Sequence, residues 1–197
     1  MGLSKYQEEI QALFKKSPVV DFASIERLIH NKDKNIRQYT KILMRNLLLK
    51  KKIYRITKGY YSLHEDPSLF VFCVKPAYFG LQDALSAHAL WEQETIPIIL
   101  TTQHIRQGIR TIFETHVLVK RIEETHFFGI EYIQQGNFFL PFSDIEKTLL
   151  DMLYFRQRLD APVLQEIKKK MDIKKLKKYL LSYPKEFRDD VSKILNI

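Results

Sequence analysis

Apolar positions near the start of the chain recur at helical intervals. Tyr6, Ile10, Leu13 and Phe14 share one face between residues 3 and 16, with Lys5, Glu8, Glu9 and Lys15 outside it, which predicts a first helix ended by Pro18. Asp21 is then placed to cap a short second helix, whose Ile25, Leu28 and Ile29 share a face and which stops near His30. The polar tetrad Asn31, Lys32, Asp33 and Lys34 supplies a turn, and Ile36, Tyr39, Leu43 and Leu47 step through a third helix. Beyond it, Ile53 to Ile56 and Tyr60 to Leu63 read as two strands around the turn Thr57-Lys58-Gly59. Three helices followed directly by a hairpin predict a winged helix-turn-helix.

The polar break His64-Glu65-Asp66-Pro67 predicts a boundary between a domain over residues 1–65 and a second over 66–197. In the second, Leu69 to Val74 reads as a strand ending at Pro76, Leu81 to Trp91 as a helix, and Ile96 to Thr102 as another strand. Val117 to Val119 and Phe127 to Ile133 have the β-branched and aromatic enrichment of paired strands, with Glu123-Glu124-Thr125 as their turn, and Asn137 to Phe142 adds one more. Ser143 and Glu146 have the spacing of a capping box before a helix buried through Ile145, Leu149, Met152 and Leu153. From Pro162 onward, Leu164, Ile167 and Met171, then Ile173, Leu176 and Leu180, then Phe187, Val191 and Ile194 predict a helical tail, with Pro184 separating the last two sets. The fold class expected is α+β (mixed α/β): a winged helix-turn-helix, then a mixed α/β domain ending in helices.

Charge changes this picture by separating the segments. Residues 1–65 carry 14 Lys/Arg against 6 Asp/Glu, residues 66–150 carry 6 against 10, and residues 151–197 carry 12 against 7. An acidic middle between two basic ends points to a polyanionic partner rather than to solubility alone. The single cysteine, Cys73, excludes an intramolecular disulfide and any zinc site with two or more thiolates, and its neighbours predict a buried strand thiol. Apolar runs such as Ile96 to Leu100 stop far short of the ~20 residues of a membrane span, and the first residues lack the apolar core of a signal peptide. A cytoplasmic protein with no membrane partner is expected.

The outward face of the third helix would display Asn35, Arg37, Gln38, Lys41 and Arg45. Arg and Lys can donate to guanine O6 and N7, and Asn or Gln can pair with adenine N6 and N7, so these are the candidate base readers on double-stranded DNA. Lys50, Lys51, Lys52, Arg55 and Lys58, at the helix end and on the wing, are better placed for phosphates. Seven lysines between Lys168 and Lys178 form either an ordinary solvated face or a second surface for nucleic acid or another partner.

The chain has no Walker A loop, no G-x-G-x-x-G after a strand, no H-E-x-x-H and no G-x-S-x-G, so an enzyme is not expected. The six histidines, at positions 30, 64, 88, 104, 116 and 126, show no metal-ligand spacing with carboxylates, and no cofactor or metal is implied. Asp144 and Glu146 read as helix-start stabilisers rather than as a carboxylate site with Asp151. The polar strand end Thr101-Thr102-Gln103 could touch a ligand or simply turn the chain.

Several stretches together resemble the AbiEi family of antitoxins, winged-helix regulators of type IV toxin-antitoxin systems. Asn35-Ile36-Arg37-Gln38-Tyr39 through Lys52-Ile53-Tyr54-Arg55 and Lys58-Gly59-Tyr60-Tyr61-Ser62-Leu63 look like the family's recognition helix and its wing. Tyr78-Phe79-Gly80-Leu81 with Ala84-Leu85 and Ala89-Leu90 is similar to the opening of its second domain. Gly129-Ile130-Glu131-Tyr132-Ile133 and Asp144-Ile145-Glu146-Lys147-Thr148-Leu149-Leu150-Asp151 resemble later landmarks, the last being the most specific. The resemblance covers most of residues 20–160 in order. It implies a repressor that binds inverted repeats in its own promoter, as a dimer or as paired monomers, and counters a nucleotidyltransferase-type toxin. A solitary regulator, or a winged helix that binds protein instead of DNA, is the alternative.

Overall fold

The computed structural model describes residues 6–29, 36–93 and 95–196. The chain divides into two compact units, Met1–Cys73 with Ile112–Thr115, and Val74–Thr111 with His116–Ile197. The fold is mixed α/β.

In the first unit, α1 (Gln7–Lys16), α2 (Phe22–Leu28) and α3 (Ile36–Leu49) surround a core of Ile10, Phe14, Ile25, Ile29, Leu43, Met44 and Leu47. Asp21 caps α2 as its sequence predicts, with Oδ1 accepting from the Ser24 N–H at 2.7 Å and Oδ2 from the Ser24 hydroxyl at 2.9 Å. The expected turn at Asn31 to Lys34 lies outside the described residues. The hairpin is present as β2 (Tyr54–Thr57) and β3 (Tyr60–Ser62), and β3 also pairs with β1 (Val20–Asp21). Two residues are too few for β1 to leave a period-two signal in the sequence.

Leu69 to Val74 is not a strand. Pro67–Cys73 forms a 3-10 helix, with Leu69, Phe70, Val71 and Cys73 buried. The Asp66 carboxylate accepts from the Ser68 N–H at 2.9 Å and from its hydroxyl, and Pro67 has its φ preset for a helical start, so local capping overrides β-rich composition. The division into units falls after this segment rather than at the polar break. The Cys73 thiol is buried, in a 3-10 turn rather than a strand.

The second unit is built on a six-stranded sheet of order β6-β7-β5-β4-β9-β8, from β4 (Ala77–Phe79), β5 (Ile98–Thr101), β6 (Gly108–Ile112), β7 (Thr115–Arg121), β8 (Ile130–Gln135) and β9 (Phe138–Ser143). β4–β5 and β8–β9 are antiparallel, and β4–β9 and β5–β7 are parallel. The expected pairing of Val117–Val119 with Phe127–Ile133 does not form. The chain between them turns through a 3-10 helix at Glu124–His126, and β8 pairs with β9 across the two-residue turn Gly136-Asn137. The helix α4 (Leu81–Ala87) is shorter than predicted, and β6 was not foreseen.

α5 (Ile145–Tyr154) packs with α4 and with the tail helices α6 (Ala161–Lys170), α7 (Ile173–Leu180) and α8 (Lys185–Leu195). Ile167, Leu176, Leu180, Val191 and Leu195 join Leu85, Leu100, Leu149 and Leu150 in one core. The tail is therefore an integral wall of this unit. The N-terminal capping of α5 differs from the expected Ser143–Glu146 box. Asp144 is the cap, its Oδ1 accepting from the Lys147 N–H at 2.8 Å, because Ser143 ends β9 and its hydroxyl bonds Thr148 at 2.7 Å.

In the first turn of α4, Asp83 accepts from the Ile98 N–H at 3.2 Å and so ties the helix to β5. Burial raises its carboxyl to about 6, against the opposing pull of that N–H. A carboxyl raised in the folded state favours the protonated form, so this contribution to stability is full below about pH 4 and is lost as pH rises through about 6. Asp83→Asn keeps an acceptor for Ile98. It is expected to match the wild type in urea unfolding at pH 4 and to exceed it by roughly 1–3 kcal/mol at pH 8. A difference that is the same at both pH values would show that Asp83 titrates normally.

Candidate nucleic-acid interface

The buried stripe of α3, comprising Thr40, Leu43, Met44 and Leu47, sets the opposite side of that helix toward solvent. Arg37, Lys41 and Arg45 recur every four residues along that side, with Gln38 beside them, and all four are exposed in the folded chain. Successive members of such a stripe lie about 6 Å apart along the axis, so the cations form a row rather than a cluster. Asn35 lies outside the described residues.

α3 ends with Lys51 in the left-handed region, at φ 51°. The Lys51 N–H donates to the Leu48 carbonyl at 3.0 Å and the Lys52 N–H to that of Leu47 at 2.9 Å, a Schellman closure. It leaves Lys50, Lys51 and Lys52 exposed where the helix stops. Arg55 is exposed on β2 with its Nε donating to the Thr57 carbonyl at 3.4 Å, which draws the guanidinium along its own strand. Lys58 is exposed at the hairpin turn, whose Gly59 carbonyl accepts from the Phe22 N–H at 2.8 Å and so ties the turn to the start of α2. The face also carries a residue that the charge pattern overlooks: Ile42, 53% exposed.

The second unit holds a buried polar network that the sequence reading missed. The Lys147 ammonium pairs with the Asp151 carboxylate, both side chains being fully buried. Asp151 accepts from the Tyr78 hydroxyl at 2.9 Å, and Lys147 reaches the Tyr183 hydroxyl at 3.3 Å. Burial pushes the Asp151 carboxyl up to about 6 against the pull of Lys147 and Tyr78, and it pushes the Lys147 ammonium down. Beside this, Lys175 bridges Asp144 at 3.1 Å and Glu146 at 2.9 Å. The Tyr179 hydroxyl donates to Asp144 at 2.8 Å, and burial with that bond raises it to about 12. Asp144 and Glu146 thus act as a cap and as anchors for α7. The Lys147/Asp151 spacing of four residues was the available signal, but it reads equally well as a solvated pair.

The same contacts sort the seven lysines of the tail. Lys175 is held by the two carboxylates, Lys168 donates to carbonyls at the end of α8, Lys170 donates to the His88 carbonyl, and Lys169 pairs with Glu166. Lys174, Lys177 and Lys178 are exposed and enter no ion pair among the described residues. Thr101 serves the chain internally, its hydroxyl donating to the Val74 and Pro76 carbonyls at 2.7 and 2.9 Å.

Among the described residues no group of three or more His, Cys, Asp or Glu side chains converges as a metal ion requires, and no helix is long and apolar enough to cross a membrane. The chain matches no protein-family model and no curated protein. Its architecture is similar to the crystal structure of the RV2827C protein from Mycobacterium tuberculosis, with a TM-score of 0.58 over 97% of this chain and 76% of that one. At 12% identity the likeness extends to the fold alone.

Proposed function

We propose that the protein is a sequence-specific DNA-binding repressor acting in the cytoplasm. In this reading α3 enters the major groove and β2–β3 rests as a wing on the neighbouring backbone. The observation that carries it is the exposed row Arg37–Lys41–Arg45 with Gln38, set opposite the buried stripe of a 14-residue helix. Lys50, Lys51, Lys52, Arg55 and Lys58 supply phosphate contacts, which position the helix without reading sequence. The resemblance to AbiEi antitoxins adds autoregulation at an inverted repeat and a non-enzymatic antitoxin role against a nucleotidyltransferase-type toxin, carried by the second unit.

Fluorescence anisotropy against the DNA upstream of its own coding sequence and against a scrambled duplex, at two salt concentrations, tests the core of this reading. A specific reader prefers its own site by about a thousandfold or more. Arg37→Ala is expected to lose roughly 5- to 100-fold on the specific site and little on the scrambled one. Lys58→Ala is expected to weaken both alike and to lower the salt slope by about one. Equal affinity for the two duplexes, or equal losses from both substitutions, would overturn the assignment.

A further inference from the structure

The exposed side of α3 is not uniformly polar. Ile42, 53% exposed, sits one turn beyond Gln38 and one turn before Arg45, beside Lys41. The core needs nothing from it, since Thr40, Leu43, Met44 and Leu47 fill the buried stripe. A β-branched apolar side chain in the middle of a cationic row contributes nothing to phosphate binding. It matches the one apolar group that a base pair displays in the major groove, the 5-methyl group of thymine.

We infer that Ile42 is a specificity-determining residue that reads a thymine methyl in the operator, an inference that rests on the DNA-binding reading above. Gln38 and Arg45 are separated by about 10 Å along the helix axis, close to three base-pair rises of ~3.4 Å. The thymine read by Ile42 therefore lies between the position read by Gln38, which suits adenine, and that read by Arg45, which suits guanine, within about two base pairs of each. A binding mode set by charge alone predicts no such position.

The test uses the intact protein and the site protected in the DNA upstream of its own coding sequence. Each thymine is replaced singly by deoxyuridine, which removes only the methyl group. One position per half-site is expected to lose about fourfold in affinity, the value of one buried methyl-sized group. That position is expected to lie between those whose preference is lost in Gln38→Ala and Arg45→Ala, within about two base pairs of each. With Ile42→Ala, affinity for the native site falls by a similar or larger factor and the deoxyuridine penalty disappears, because the two changes remove one contact.

Specific binding that is indifferent to deoxyuridine everywhere, or a penalty that persists in Ile42→Ala, overturns the inference while leaving the DNA-binding reading intact. Failure to distinguish the upstream DNA from a scrambled duplex overturns both. A change from dimer to monomer on Ile42→Ala, with the deoxyuridine penalty unchanged, would assign the side chain to contact with a second copy instead.

Discussion

Lys147→Met is expected to destabilise the second unit by about 3–5 kcal/mol, the cost of removing one partner from a buried ion pair. Lys147 has no exposed side-chain area, and its ammonium pairs with an equally buried Asp151 while lying 5.2 Å above the Phe128 ring and 5.6 Å above that of Tyr78. Methionine fills the same volume but leaves the Asp151 carboxylate with the Tyr78 hydroxyl as its one hydrogen-bond partner among the described residues. Burial already holds that carboxyl at about 6 with the ammonium present, and losing the cation drives it higher. A folded-state carboxyl raised this way is stabilising while protonated, below its unfolded value near 4, and the benefit is lost as pH rises through its folded value. The deficit of Lys147→Met is therefore expected to be larger at pH 8 than at pH 5. The double variant Lys147→Met, Asp151→Leu removes both charges and is expected to recover most of the loss. Urea unfolding of the three proteins at both pH values checks this. A single variant within 1 kcal/mol of the wild type, or a double variant worse than the single, would mean that the pair is not buried as described.

Gly129→Ala is expected to cost about 2–4 kcal/mol, through two separable causes. Gly129 lies at φ +65°, where a Cβ is penalised, and its new methyl would stand 2.8 Å from the Lys147 Cβ, 3.0 Å from the Tyr179 ring and 3.1 Å from an Asp144 carboxylate oxygen. None of these can withdraw cheaply. The Lys147 Cβ belongs to a buried helix, Asp144 caps that helix, and the Asp144 N–H donates to the Gly129 carbonyl at 2.8 Å. Gly136 serves as the control, at φ +56° with nothing within 4 Å of its added Cβ. Gly136→Ala is expected to lose only the backbone part, about 1–2 kcal/mol. Equal losses at the two glycines, measured by urea unfolding, would show that the close approach at Gly129 is relieved by movement of its neighbours.

The first unit was largely legible in its sequence because its signals are local. The stripe Leu43–Leu47, the Asp21 cap and the Lys58–Gly59 turn each act within a few residues, and α2, α3 and the β2–β3 hairpin follow from them. The candidate readers Arg37, Gln38, Lys41 and Arg45 were legible for the same reason, since the buried stripe of one helix dictates its exposed side. Ile42 belongs to neither the apolar stripe Ile36, Tyr39, Leu43 and Leu47 nor the polar set on the outward face, and only its 53% exposure in the folded helix marks it.

Charge segregation, helix periodicity and capping are properties of neighbours along the chain, and the sequence by itself determined them: a basic helical start, a mixed α/β body and a helical tail. Strand partners and the environment of α5 depend on residues far away in the chain, and only the tertiary structure decided them. β6 and β7 meet through Phe113 and Glu114, both at positive φ, a turn that neither residue type advertises. β8 pairs with β9 because the chain before it turns through Glu124–His126 and Gly129. Lys147 and Asp151 belong by periodicity on the solvent side of α5, yet the covering tail helices bury that side, and Tyr78 and Tyr183, 73 and 36 residues away from their partners, complete the hydrogen bonds that make a buried charge pair tolerable.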